Sequence, residues 1–285
     1  YNTGSGTETN AWTITVAGAD AANEVTAAEL NTLDSATSVA VNVNAITELK
    51  ASDLTDLSTF HTNRANFSNT GNIATINLTD NGGAGTSVDY STLETIVDNY
   101  RAAGAAGINT AAVFKFTAGD AITIDDTGEV TAYLADITSG ALALTDQTVT
   151  VNSGVGLSVA NARSIADDTT GAVTATIASG VHVSVLTTLH NTGSGTETNA
   201  WTITLHSDDA TRATAAQLNT IDSATSVAIT STAITALAAS DMDDLSTLNG
   251  NAGNFSTLNN ITAITLTENG GSGTSVDYST LETLI

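Results

Sequence analysis

The chain contains no cysteine and no proline. The first absence excludes disulfides and thiolate metal sites. The second means that every turn is built from Gly, Asn, Asp, Ser or Thr, since no ring fixes φ or removes a backbone donor. Aromatic residues make up 4% and charged residues 13%, so the polar surface must come mainly from Thr, Ser, Asn and Asp. Bases are scarce: 6 Lys and Arg stand against 30 Asp and Glu, for a formal charge of −24. Phosphate binding needs Lys and Arg, which argues against nucleic acid and anionic membranes as partners. The same imbalance favours solubility and attracts cations. No apolar run reaches the length of a membrane span.

What is present is repetition. NTGSGTETNAWTIT occurs at 2–15 and again, letter for letter, at 191–204. TAAELNTLDSATSVAV at 26–41 returns as TAAQLNTIDSATSVAI at 214–229, and GTSVDYSTLETI at 85–96 returns as GTSVDYSTLETL at 273–284. Residues 2–190 thus form a first long repeat and 191–285 a partial second one, read together as a single repeat domain over 1–285. Tyr1 stands in mid-phrase, and the chain is expected to be a piece of something longer that continues end to end with copies of itself or adjoining repeats.

Inside the long repeat runs a shorter rhythm. Apolar residues alternate with Thr or Asn at 12–16, 38–43, 73–79, 121–124, 148–151 and 173–177, and again at 201–205, 226–229 and 261–267. Such alternation predicts half-buried strands, and their spacing of about 25–40 residues lies in the range of stacked repeats. Helices are predicted between them. Thr26-Ala-Ala-Glu29 and Thr214-Ala-Ala-Gln217 have the form of a capping box. Leu54 and Leu57 follow Asp53, while Leu93, Ile96, Val97 and Tyr100 lie at helical spacing. Strand–helix units too short to bury their own apolar faces can do so by stacking. The fold expected is a right-handed α/β solenoid of strand–helix coils with one continuous parallel β-sheet, leucine-rich-repeat-like.

Several clusters invite chemistry. Asp80, Asn81 and Asp89, with Glu268, Asn269 and Asp277 in the second copy, offer the hard oxygen ligands that suit calcium. The EF-hand order of acids is missing, and a glycine turn leading into a helix capped by Asp89 or Ser91 explains the same residues. Acid pairs at 125–126, 167–168, 208–209 and 243–244 are expected in solvated turns. His61, His182, His190 and His206 fall in no metal or triad spacing and are expected to be surface or packing residues. Asn66, Asn77, Asn254 and Asn260 head acceptor sequons and are glycosylation candidates. Trp12 and Trp201 occupy the same repeat position and are expected in equivalent, partly packed settings.

The phrases at 26–41 and 214–229 resemble the repeats of very large Thr/Ala/Asn-rich surface proteins of aquatic bacteria, cyanobacteria among them, with similar repeats in phage tail fibres and adhesins. The resemblance implies an extracellular or cell-surface location and a structural role in a surface layer, sheath or fibril. Its alternative is an adhesin or tail-fibre segment that binds glycans. It carries over no catalytic residue. Because chemistry needs one preorganised constellation, whereas a repeat multiplies a surface, no enzyme is expected and no cofactor beyond calcium.

Overall fold

The computed structural model describes residues 10–17, 25–79, 87–104, 107–190 and 199–267. The chain divides into two compact units, Tyr1–Thr148 and Val149–Ile285, a boundary that does not coincide with the junction between the long repeats.

In the first unit the helices are α1 (Ala27–Ser35), α2 (Leu54–Thr62), α3 (Tyr90–Arg101) and α4 (Thr127–Thr138). Each starts where a side chain satisfies free backbone N–H groups. Thr26 and Glu29 close the predicted capping box on α1, Asp53 caps α2, Asp89 caps α3 and Asp126 caps α4. The helices pack on one another in chain order, α1 on α2, α2 on α3 and α3 on α4. Their inward stripes are fully buried: Leu30, Leu57, Phe60, Leu93, Tyr100 and Tyr133. Burial of each such side chain contributes about 1.5–3 kcal/mol.

The second unit holds α5 (Val159–Asp167), α6 (Val183–Leu186), α7 (Ala215–Ser223) and α8 (Met242–Gly250). Here α7 carries the second capping box, Thr214 with Gln217, and packs between α6 and α8.

The strands do not form the one continuous sheet expected, and among the described residues the coils do not stack into a solenoid. In the first unit β1 (Val41–Asn42) pairs with β3 (Phe67–Ser68). A separate four-stranded sheet runs β2 (Glu48–Ser52), β4 (Thr75–Leu78), β6 (Val113–Lys115), β8 (Leu142–Ala143). In a third arrangement β5 (Ser87–Asp89) pairs with β7 (Ala121–Ile124). In the second unit β9 (Thr148–Val151), β10 (Gly156–Leu157) and β12 (Ala200–Thr202) all pair with β11 (Val173–Ile177). Apart from these, β13 (Ala236–Ser240) pairs with β14 (Ala263–Leu266). All of these pairings are parallel.

The physical reasons are visible in the segments. Strands are as short as two residues and at most five, and consecutive strands alternate between sheets, so that β4, β5 and β6 do not share one ladder. The register slips between Leu49 and Ser52 and between Leu237 and Ser240. Hydrogen bonds between neighbouring segments of the first unit span anything from 25 to 46 residues, so no constant coil length carries a single ladder forward. The expected leucine-rich-repeat-like solenoid is therefore corrected to a mixed α/β fold of several small parallel sheets and helices.

Two further expectations change. The stretches at 12–16 and 226–229 make only isolated bridges, at Thr15 and Ile229. Rings cluster in the first unit, of which periodicity marked only Tyr100: Phe60 and Phe67 lie 4.7 Å apart, Tyr100 and Phe114 5.5 Å, and Tyr90 and Tyr133 5.5 Å edge to face.

Candidate functional site

The duplicated phrases build duplicated tethers. Ser52 and Ser240, both 2% exposed, accept the first N–H of α1 and of α7 (Ala27 and Ala215) at 2.9 Å each. Each donates its hydroxyl in turn to a strand carbonyl, of Lys50 or Ala238. Asn31 donates to the Asp56 carbonyl at 3.0 Å and Asn219 to that of Asp244 at 2.9 Å. Thr37 and Thr225 donate to the carbonyls of Trp12 and Trp201. These bonds tie one segment to the next with the same atoms in both copies.

The tryptophans themselves diverge. Trp201 is fully buried in β12, paired beside Ala175 of β11, and its indole N–H finds no acceptor among the described residues. Trp12 is 56% exposed, and the equivalent settings expected for the two are not found.

One constellation spans the junction between the copies, with His182 from the end of the first long repeat and His206 and Asp208 from the second. Gly180, at φ +85°, turns the chain two residues before His182, a backbone shape that glycine adopts without strain. His182 then precedes α6, and its ring meets that of His206 edge to face at 5.1 Å. Asp209, buried to 4% exposure, holds this start in place. Its carboxylate accepts the Val183 N–H at 2.9 Å and the His182 Nδ1–H at 3.1 Å. With Nδ1 donating to a carboxylate, the lone pair of His182 stands on Nε2. His206 begins the 3-10 turn Ser207–Asp209, accepting the Asp208 N–H at Nδ1. One ligand atom from each of His182, His206 and Asp208 lies within 4.8 Å of the others. No spacing motif announces this group, because its members come from two segments that only the fold joins. The signal lay in the differences between copies: Ala17 and Ala19 stand where the second copy has His206 and Asp208.

The acid pairs divide by role. Asp126 and Asp209 serve as caps or tethers, which corrects the expectation of solvated turns throughout. Asp168 is the C-cap of α5, where burial, with the neighbouring Asp167 charge second, pushes its carboxyl up to about 6. The other histidines are elsewhere: His190 meets Asp167 at 2.8 Å and the His61 ring lies beside Tyr100.

Of the calcium candidates, Asp89 is committed to capping α3. It accepts from the Ser91 N–H at 2.8 Å and the Ser91 hydroxyl at 2.6 Å, and the Ser91 bond holds its carboxyl below the usual range. Asp80, Asn81, Glu268, Asn269 and Asp277 lie outside the described residues. Among the sequons, Asn66 and Asn254 are exposed, and each donates to an α-helical aspartate, Asp34 or Asp222. Asn260 is exposed and donates to the Thr232 carbonyl. Asn77 sits inside β4 with its amide donating to Glu48 at 2.6 Å and to the Leu49 carbonyl at 2.9 Å, so a glycan there would displace both bonds.

The second unit also carries an apolar groove of about 400 Å³ lined by Leu237, Leu245, Leu248, Ile261 and Ile264. Among the described residues no helix is long and apolar enough to cross a membrane. Comparison of the chain with protein-family models, with curated proteins and with solved structures gives no match.

Proposed function

We propose that the chain is a structural, non-enzymatic segment of an extracellular surface layer, sheath or fibril, joined end to end with copies of itself or with adjoining repeats. The observation that carries this reading is the duplication of tethers. The atoms that join segment to segment recur in both copies, at Ser52 and Ser240 and at Asn31 and Asn219, whereas the cluster with ligand chemistry is found once among the described residues. Selection that copies packing devices while letting reactive groups differ maintains a scaffold. An acidic surface carrying −24 keeps such a scaffold soluble and suits an exterior rich in divalent cations. The test is labelling of intact cells of the source organism with antibodies raised against the 214–229 segment. Surface decoration is expected; a bare surface with signal confined to the cell interior would overturn the reading.

A second reading, an adhesive or tail-fibre segment that grips glycans, draws on the exposed Trp12, since aromatic faces stack on sugar rings. Burial of Trp201 removes the partner that a repeated aromatic platform would need, and this ranks the reading below the first. Retention of the chain on immobilised glycans, abolished by Trp12→Ala, would reverse that order.

A further inference from the structure

We propose that His182, His206 and Asp208 bind a divalent transition-metal ion of the zinc, cobalt or nickel kind. Three observations on different atoms converge. The ligand atoms lie within 4.8 Å of one another, close enough for small side-chain rotations, with release of the Asp208 N–H from His206 Nδ1, to bring them onto one ion with bonds of roughly 2.0–2.2 Å. The buried carboxylate of Asp209, itself no ligand in this arrangement, receives Nδ1–H of His182. A carboxylate behind a ligating imidazole fixes its tautomer and raises its basicity, the outer-shell arrangement that metal-binding histidines use. Finally, the turn at Gly180 brings this backbone up against the His206 ring: a Cβ on that glycine would lie 3.8 Å from the His206 imidazole carbon. The two imidazoles thus face each other across two separate chain segments.

Two imidazoles and one carboxylate select a borderline cation over calcium or magnesium, which take oxygen ligands. His182 and Asp208 are well exposed, with 47% and 66% of their side-chain surfaces accessible, and His206 is half-buried at 28%. The ion is therefore reached from solvent, and a fourth position is left to water. Its mechanical effect would be a clip between the start of α6 and the turn at 207–209. The surrounding acidity supplies long-range attraction for the cation but no selectivity.

The second copy's own relative shows how to remove the site without harming the fold. Ala17 and Ala19 occupy the positions of His206 and Asp208 in the first copy, so His206→Ala with Asp208→Ala restores residues already used there. The full chain would be titrated with zinc chloride by calorimetry, in excess calcium to saturate the carboxylate surface, and with cobalt(II) by visible absorption. One tight equivalent is expected, with the intense visible bands of a four-coordinate cobalt site. The double variant should bind at least about 100-fold more weakly, the loss of two of three ligands. His190→Ala, outside the cluster, should bind as the parent does, and zinc should raise the thermal midpoint of the parent but not of the double variant. Zinc binding unchanged in the double variant, equal loss in His190→Ala, or no tight equivalent in the parent would each overturn the proposal. Circular dichroism matching the parent would exclude misfolding as the cause of any loss. None of these outcomes depends on where the protein resides in the cell, so failure here leaves the surface-scaffold reading to its own test.

Discussion

Ser52 and Ser240 each join a helix start to a strand through one hydroxyl, accepting an N–H and donating to a carbonyl. Replacing either by alanine leaves the buried N–H of Ala27 or Ala215 without an acceptor. Loss of about 1–3 kcal/mol is expected for each, read as a lower urea midpoint at unchanged slope; a midpoint within error of the parent would show that water replaces the hydroxyl. Asp168 works in the opposite sense. Its carboxyl rises from the ordinary 3.8 to about 6, because burial and then Asp167 disfavour the charge, and it sits at the negative end of the α5 dipole. Between these values the folded chain holds more proton than the unfolded chain, so stability falls as pH rises through that window, and the penalty is complete above about 6. Asp168→Asn should therefore stabilise the protein at pH 7, by on the order of 1 kcal/mol once solvent screening of a partly exposed group is allowed for. That advantage should shrink steadily on acidification to pH 4; an advantage independent of pH would rule out the charge as its cause. The capping boxes were legible in the sequence because cap and partner lie three residues apart. The serine tethers were not, since hydroxyl and N–H are 25 residues apart and no local pattern marks the serine.

Helix ends show how far local sequence fixes an element. α4 stops in a Schellman motif: Gly140 adopts φ +70°, the Gly140 N–H reaches the Ile137 carbonyl and the Ala141 N–H that of Asp136. A side chain at Gly140 would meet nothing within 4 Å, so Gly140→Ala tests backbone strain alone and should cost about 1–2 kcal/mol. Gly250, the last residue of α8, also has open space around it but no positive φ. Gly250→Ala should raise stability by up to about 1 kcal/mol, and thermal unfolding of the two variants should move in opposite directions. If both moved the same way, the left-handed geometry would not be the determinant. Helices α1, α2 and α3 were readable from caps and 3.6-residue spacing. The strand stretches at 75–78, 121–124 and 173–177 were readable from alternation. Their partners were not: a period of two says which face is buried but not which neighbour a strand meets, and β3 and β8, two residues each, are too short to show any period.

At the scale of the whole molecule, repetition in sequence and repetition in space differ. Identical phrases reproduce identical short-range bonds, yet sheet membership depends on the lengths of the connections between strands, and these vary along the chain. The histidine and aspartate cluster is illegible in the repeat pattern for a related reason: it lies where the copies part, as at Ala17 against His206. The two tryptophans extend this into something measurable. Trp12 and Trp201 have the same ten residues before them and the same three after them, but one ring is 56% exposed and the other is fully enclosed. With no third tryptophan in the chain, its ultraviolet emission divides into two populations of known address. Acrylamide should quench the Trp12 component readily and leave the blue-shifted Trp201 component nearly untouched, and Trp12→Phe should delete only the quenchable part. A single linear quenching plot would contradict the burial difference. The fossil of one duplication therefore gives the protein a paired dye, in which the enclosed indole serves as an internal standard against which any covering of the other can be timed.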